Sequence, residues 1–261
     1  MGKRTLMEKE AAQAPAVVAR QVRKNVPVLS KLCRRLQDTP PPFAMTIARG
    51  SSDHAANFAK YLIETRIGIV TSSAAPSVLT LYKSRLRLKG ALVIGISQSG
   101  ESPDICEVMT YARKAGAITV AFVNKSASPL ARASEYVVPL YAGEEKAVAA
   151  TKSYIAALAA LVHFAGFWSE DHRLLKDLRI LPKSLEKAVT EDWSAGIRSF
   201  QDVRDTLVIA RGYCFPIAQE AALKFKETCA IHAEAFSGAE VLHGPYSLIR
   251  KDYPVLIFTE N

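Results

Sequence analysis

The sequence Ile-Ala-Arg-Gly occurs twice in the chain, each time at the end of a short apolar run. The first copy occupies residues 47–50 and the second occupies residues 209–212. At nearly the same spacing, the segment 73–79 resembles the segment 237–242. Recurrence of several segments at one spacing indicates a duplicated structural unit. We therefore predict two tandem copies of one unit.

The type of unit follows from the alternation of strand and helix patterns. Residues 6–36 have a helical pattern that Pro27 interrupts, and strand and helix patterns alternate after them. The predicted strands are 43–48, 67–71, 91–97, 118–123 and 136–140, and the predicted helices are 54–65, 76–84, 103–115 and 130–134. Such alternation predicts a parallel sheet with helices on both faces, a flavodoxin-like three-layer α/β/α fold. Ligands of such folds bind at the carboxyl ends of the strands.

The repeat also sets the expected domain boundaries. The expected domains are a helical arm, a first unit and a second unit, over residues 1–42, 43–195 and 196–261. In the second copy the apolar run 255–259 corresponds to the strand 91–96, so Asn261 falls where Gln98 lies in the first copy. We therefore expect the second unit to be truncated. Either the chain is a fragment, or a partner subunit covers the sheet edge that would otherwise be exposed.

Composition favours a folded protein of a reducing compartment. The chain has 261 residues, of which 49% are hydrophobic, enough for a buried core in each unit. Its cysteines are scattered and form no C-x-x-C pair, which indicates buried thiols and a cytoplasmic location. They are Cys33, Cys106, Cys214 and Cys229. The first ten residues lack the apolar core of a secretory signal.

Neither a membrane nor a nucleic acid is an expected partner. The most apolar stretch, residues 155–168, is shorter than the roughly 20 residues that span a bilayer, and we predict a core helix there. The chain carries 34 basic and 25 acidic residues, a net charge of +9, but the basic residues are spread along it. The densest basic run, 83–89, alternates with polar or apolar residues, as is typical of a solvated face.

A turn of small hydroxyl residues, 97–102, joins the apolar strand 91–96 to a helix that begins with Pro103. The first turn of a helix offers free backbone N–H groups and a partial positive charge, and serine side chains add donors without bulk. A dianionic phosphate would be held well there, although a serine N-cap in a tight turn explains the same pattern. A second serine turn, 50–53, follows the first strand, so we expect both turns to face one crevice.

Other motifs lack part of the pattern that their chemistry needs. Residues 95–99 nearly match the G-x-S-x-G elbow of serine hydrolases, but Ser99 replaces the second glycine. His232 and Glu234 match half of a zinc deaminase signature, without its P-C-x-x-C partner. The chain has neither G-x-G-x-x-G after a strand nor G-x-x-x-x-G-K-[ST]. We therefore expect neither a metal nor a cofactor.

A polar stripe lies on a predicted helix over residues 217–230. Glu220, Lys224 and Glu227 are spaced i, i+4 and i+7, which places them on one helix face. A surface salt-bridge stripe is one interpretation. The other is a proton shuttle, in which a carboxylate moves a proton between neighbouring sugar carbons while the lysine stabilises the developing negative charge. His243 lies in a turn-like segment, which exposes an imidazole.

Taken together, these motifs resemble the sugar isomerase (SIS) family. The segments that carry the resemblance are 97–102, 148–152, 222–227, 231–235 and 243–245. More closely, the chain is similar to the isomerase half of the glutamine:fructose-6-phosphate amidotransferases, from about residue 6 to its end. It also resembles the stand-alone glucosamine-6-phosphate deaminases.

The resemblance implies a role for individual residues. It assigns phosphate binding to Ser97, Gln98, Ser99 and Ser102, and sugar binding to Ser51, Ser52, Val148 and Ala150, with Glu220 and Arg211 in support. It makes Glu227 the base that moves a proton between C1 and C2, assisted by Lys224. It gives His243 a part in ring opening and a reach into the site of the neighbouring subunit, and so implies a homodimer.

Three departures from the synthases affect the expected reaction. The glutaminase nucleophile of the synthases is a terminal cysteine, whereas this chain begins with Met1 and Gly2, and Ala150 stands where the synthases usually have serine. We also expect this chain to lack the C-terminal tail that supplies a lysine in relatives. We therefore expect a deaminase and isomerase that converts glucosamine 6-phosphate to fructose 6-phosphate and ammonia. The alternatives are a deglycase or deaminase for another amino-sugar phosphate, such as fructosamine or galactosamine 6-phosphate, and a non-catalytic sugar-phosphate sensor.

Overall fold

The computed structural model describes residues 4–260, which form two compact units. The first unit ends at Glu186 and the second begins at Lys187. Met1, Gly2 and Asn261, on which the expectations about the chain ends rest, lie outside the described residues.

Three helices precede the first sheet: α1 (Leu6–Ala11), α2 (Ala14–Lys24) and α3 (Val26–Asp38). α1 begins with a capping box, in which the Thr5 hydroxyl accepts the Glu8 N–H and the Glu8 carboxylate accepts the Thr5 N–H. Pro15 and Pro27 each lie in the first turn of a helix, where a missing N–H costs nothing. The predicted interruption at Pro27 is therefore confirmed as the start of α3.

The first sheet has five parallel strands in the order β2-β1-β3-β4-β5. Its elements are β1 (Ala44–Ile47), α4 (Ser51–Arg66), β2 (Thr71–Ser73), α5 (Ser77–Thr80), β3 (Leu92–Ser97), α6 (Pro103–Lys114), β4 (Ile118–Val123), α7 (Pro129–Ala133), β5 (Tyr136–Pro139) and α8 (Lys152–Trp168). Side chains alternate between the faces of β4: Ala121 and Val123 join the core beneath α6, while the Phe122 ring lies 5.7 Å from that of Phe164 in α8. The predicted parallel sheet with flanking helices is confirmed.

The second predicted strand, 67–71, is wrong. The chain forms a strand only from Thr71 to Ser73, because the end of α4 occupies the preceding residues. The N–H groups of Ile67 and Gly68 both donate to the Ile63 carbonyl, and Gly68 has a left-handed φ of +78°. The predicted helix 76–84 is also shorter, since α5 ends at Thr80.

The most apolar segment is the buried helix α8, as predicted. α9 (His172–Thr190) follows it and contains Pro182. The side chains of Leu174 and Leu175 in α9 lie close to Gly166 of α8. No helix among residues 4–260 is both long and apolar enough to cross a membrane.

The second unit contains a parallel sheet with the order β7-β6-β8. Its elements are α10 (Ser194–Arg198), β6 (Asp205–Ala210), α11 (Phe215–Cys229), β7 (His232–Ser237), β8 (Val255–Ile257) and three short 3-10 helices, Gly212–Cys214, Glu240–His243 and Pro245–Leu248. The central strand comes first in the chain, as β1 does in the order β2-β1-β3. Gly50 and Gly212 follow β1 and β6, the first strand of each sheet in chain order, and both have a positive φ, +55° and +60°. These shared features support the predicted duplication.

The four cysteines are free thiols. Cys33 is buried as predicted, and Cys106 and Cys214 are half-buried. The prediction is wrong for Cys229, which is exposed because it is the last residue of α11. The basic run 83–89 has the predicted character, since its lysines and arginines are exposed.

Candidate functional site

Both serine turns lie at the carboxyl edge of the first sheet. β1 and β3 are neighbours in register, with Ile47 beside Gly95, so the turns that follow them emerge side by side. Ser51 is the first residue of α4 and Ser102 is the N-cap of α6. The predicted pairing of two serine turns at one edge is therefore present.

The turn over residues 97–102 is held by its own hydroxyl groups. Ser97 Oγ accepts the Gly100 N–H at 2.9 Å, and Ser99 Oγ accepts the Glu101 N–H at 3.3 Å. Because both hydroxyls act as acceptors in these bonds, each still has a hydrogen that it can donate. Ser102 occupies the N-cap position, but its side chain forms no capping hydrogen bond. A simple N-cap therefore does not account for the hydroxyl of Ser102.

Gly100 is required by the turn. Its φ is +65°, and a Cβ built on it would lie 2.6 Å from Ser128 Cβ. Ser128 cannot easily move, because its Oγ accepts the Ala131 N–H at the start of α7. The turn thus packs directly against α7, which fixes the backbone that the serines project from.

A narrow cleft brings together four of the predicted ligand-binding residues: Ser51, Ser52, Gln98 and Ala150. Its accessible volume is about 20 Å³. The residues that complete its wall are Leu140, Ser153, Tyr154 and Ala157. Ser97, Ser99 and Ser102 do not line this cleft, and Val148 projects fully into solvent. The sequence patterns did not single out Ser153 and Tyr154, which come directly after the 148–152 motif in the first turn of α8.

Two carboxylates, one buried and one half-buried, hold the loop that carries Val148 and Ala150. Glu10, 5% exposed, accepts the Lys146 N–H at 2.5 Å and the Ala147 N–H at 3.3 Å. Glu145 accepts the N–H groups of Thr151 and Ser153 at 3.1 and 3.0 Å, and also the Ser153 hydroxyl.

Lys152 connects the helical arm to the same loop from a buried position. Its side chain is buried, and Nζ donates to Gln13 Oε1 at 2.7 Å and to the Glu144 carbonyl at 2.5 Å. Glu10 and Gln13 flank the end of α1, so the helical arm fixes a loop more than a hundred residues away. The repeated acidic residues of the arm were the available signal for this role.

The polar stripe of the second unit is a compact ionic group. Lys224 Nζ lies 3.1 Å from Glu220 Oε1 and 2.5 Å from Glu227 Oε2. The side chain of Lys224 is 15% exposed and that of Glu220 is 8% exposed, whereas that of Glu227 is 32% exposed. Burial of a lysine requires such partners. Glu227 is thus the member of the group that solvent reaches most readily.

Two other predicted residues of the second unit, Arg211 and His243, lie on exposed segments. Arg211 follows β6 and is exposed. His243 ends a short 3-10 helix and is also exposed, beside Gly244 with its φ of +133°.

Comparison with known proteins identifies the family of this chain. The SIS domain family model matches residues 44–165 and 199–261. The chain belongs to the SIS domain family. The two matched segments of this SIS chain cover both parallel sheets, the serine turns and α11.

Individual SIS relatives show how far the similarity extends. A glutamine–fructose-6-phosphate aminotransferase (isomerizing) from Thermotoga maritima is 36% identical over 80% of this chain and 36% of its own length. A crystal structure from Silicibacter pomeroyi, provisionally named a phosphosugar isomerase, has a TM-score of 0.94 and 39% identity over 98% of this chain and 78% of that one. The C-terminal domain of a glucosamine-fructose-6-phosphate aminotransferase from Francisella tularensis has a TM-score of 0.83 and 27% identity, covering 98% and 76%. The chain thus spans about a third of the length of the Thermotoga relative.

Proposed function

We propose that this SIS protein is a phosphosugar aldose–ketose isomerase that deaminates glucosamine 6-phosphate to fructose 6-phosphate and ammonia. The observation that carries the proposal is the position of Lys224 between two carboxylates, one buried and one partly exposed. A lysine held in this way supplies a fixed positive charge beside a carboxylate that can exchange a proton. The names of the relatives support a phosphosugar as the substrate class.

The proposal assigns phosphate binding to the first unit. The hydroxyl oxygens of Ser97 and Ser99 accept backbone N–H groups, which orients their hydroxyl hydrogens. Ser102 lies at the N-terminus of the twelve-residue helix α6. Hydroxyl donors and a helix N-terminus both favour a dianion. Ser51, Ser52 and Gln98 would contact the sugar or its phosphate from the narrow cleft.

The proposal assigns proton transfer to the second unit. Glu227 would take the C2 proton of the open-chain amino sugar and return it to C1, while Lys224 stabilises the negative charge that develops on the oxygen at C1. The resulting C2 imine reacts with water to give fructose 6-phosphate and ammonia. Glu220 would hold Lys224 in place, and His243 would assist ring opening. No cofactor takes part in these steps.

The decisive assay measures ammonia and fructose 6-phosphate released from glucosamine 6-phosphate without glutamine. We expect both products in equal amounts from the wild-type chain. Glu227→Gln should lower kcat by about 10²–10⁴-fold, the usual contribution of a positioned acid–base group, with little change in KM. Glu186→Gln, at an exposed position of α9, is the matched control and should retain activity. Full activity of Glu227→Gln would exclude the proposed role of this carboxylate.

The same assay distinguishes the alternatives. Faster turnover of fructosamine or galactosamine 6-phosphate would replace the proposed substrate and keep the proton shuttle. Binding of these sugars, seen as a higher Tm, without turnover would indicate a sensor. The aminotransferase relatives favour the reverse reaction as a second candidate, which is tested by supplying fructose 6-phosphate with ammonium and measuring glucosamine 6-phosphate.

We also propose that the protein is a cytoplasmic homodimer in which His243 acts in the site of the partner subunit. The exposed position of His243 is compatible with this role.

A further inference from the structure

A second cavity lies in the first unit, among α2, α8, α9 and the start of α3. Its volume is about 450 Å³, within the range of small-molecule sites in proteins. No residue that lines it also lines the narrow cleft near Ser51 and Gln98. The cavity is therefore separate from the site to which the proposed reaction is assigned.

One wall of the cavity is formed by α9, around Leu178 and Pro182. Pro182 lies inside this helix and has no N–H for the carbonyl four residues before it, which belongs to Leu178. Leu178 packs with Val18 and Ala159 in a small apolar core, and Leu178 and Pro182 both line the cavity. α9 therefore covers an apolar space between the helices.

One buried polar group in the cavity wall lacks a partner. The His163 side chain lines the cavity and is only 3% exposed, and its Nδ1 atom forms no hydrogen bond with any described atom. The ring packs edge-on against Phe167, with 5.0 Å between the centroids. A buried ring nitrogen without a partner is costly, and a polar group of a ligand would relieve that cost.

The charged residues of the cavity are both cationic. Arg23 of α2 and Arg179 of α9 line it, and both are exposed at its rim. Neither forms an ion pair with any residue among 4–260. Two guanidinium groups at the opening of an apolar cavity suit a ligand with one anionic end and one apolar end.

We propose that this cavity binds a small amphipathic anion. The apolar body of the ligand lies against Val22, Phe167 and Leu175, its anionic group binds Arg23 and Arg179, and a polar atom hydrogen-bonds to His163. The proposal does not depend on the proposed enzymatic function.

Two fluorescent probes of similar shape and different charge test the proposal on the full chain. The anion 8-anilinonaphthalene-1-sulfonate should bind saturably at one site per chain. Arg179→Gln should weaken its binding about 5–10-fold, as expected for loss of a charge-assisted contact, and should leave binding of the neutral N-phenyl-1-naphthylamine within about twofold. Arg173→Gln, an exposed position on the same helix outside the cavity, is the matched control and should bind both probes like the wild type.

A second variant tests the location. Val22→Phe fills the apolar part of the cavity and should abolish saturable binding of both probes. The proposal is overturned if the anionic probe does not bind saturably, or if Arg179→Gln and Arg173→Gln bind it equally well. It is also overturned if a folded Val22→Phe variant binds like the wild type. Because Arg179 is exposed, its variant tests the proposal even if Val22→Phe does not fold.

Discussion

Several side chains of this protein have properties that only their surroundings explain. Burial, reinforced by the charge of Arg179, lowers the pKa of His163 to about 4. The charged groups that line the same cavity are the cations Arg23 of α2 and Arg179 of α9, and the charge of Arg179 opposes protonation of the imidazole. The sequence marked His163 only as part of an apolar stretch, because its burial depends on helices that lie far from it along the chain.

The pKa of His163 predicts how stability changes with pH. In the unfolded chain the imidazole has a pKa of about 6.5, so between pH 6.5 and 4 the unfolded state binds the proton and the folded state does not. The free energy of unfolding is therefore highest above pH 6.5. As the pH falls towards 4, the difference in proton binding lowers it by at most about 3 kcal/mol. Urea unfolding of the wild type and of His163→Phe between pH 7.5 and 4.5 measures this contribution. Equal pH slopes for the two proteins would contradict the prediction.

Gly100 gives a second prediction at the level of single residues. Gly100→Ala combines a left-handed φ with a clash against Ser128, and we expect a loss of about 2–4 kcal/mol in the free energy of unfolding. Gly143→Ala is the matched control, since Gly143 has a φ of +70° with no atom within 4 Å of the added Cβ. It should cost only about 1 kcal/mol, the backbone contribution alone. Similar losses for both variants in urea unfolding would show that the clash is relieved.

Helices and strands were predicted correctly where interactions between residues close in sequence determine them, and not where distant residues do. The strand 118–123 was predicted with its observed bounds, because a continuous apolar run specifies a buried parallel strand locally. The run 67–71 is also largely apolar, but α4 ends there. The N–H of Gly68 donates to the carbonyl of Ile63, and this helix end overrides the strand propensity of the run. The loop before α8 could not be predicted from its own sequence, because its backbone is held by Glu10.

The contact between α1 and this loop predicts an effect on ligand binding. Glu10→Gln removes the charge from the acceptor of the Lys146 and Ala147 N–H groups. We expect a loss of about 1–3 kcal/mol in stability, and a several-fold rise in KM for glucosamine 6-phosphate, because Ala150 loses its support. Glu144→Gln is the control, since Glu144 is exposed and its ion pair with Lys146 contributes little. An unchanged KM in Glu10→Gln would separate the arm from the cleft.

For the whole molecule, the repeat of Ile-Ala-Arg-Gly was more informative than any single motif. It correctly predicted a strand that ends within each copy of the repeat, β1 and β6, although it gave no prediction of the positive φ at Gly50 and Gly212. Half of the residues of the narrow cleft were singled out from their motifs. The other four depend on how α8 packs against the end of the first sheet: Leu140, Ser153, Tyr154 and Ala157. The cavity beneath α9 could not be predicted from any one segment of the sequence, because residues of four separate helices line it.

The proposed homodimer can be tested by mixing two inactive variants. If His243 acts in the partner's site, a heterodimer of His243→Ala and Glu227→Gln contains one intact site and one doubly altered site. Equal mixing with subunit exchange should then restore about one quarter of the wild-type activity, since half of the two-fold dimers are mixed. Light scattering gives the oligomeric state. No recovery from a mixture proven to contain heterodimers would place His243 in its own subunit's site.

The thiols of this chain differ sharply in their accessibility to reagents. Burial raises the pKa of Cys33 far above its usual range, and it also raises the pKa values of Cys106 and Cys214. Cys229, by contrast, is exposed two residues after Glu227 on α11. A maleimide dye would therefore attach selectively at Cys229, next to the proposed base, without any engineered cysteine. The native sequence thus supplies an attachment point from which fluorescence could follow sugar binding in real time.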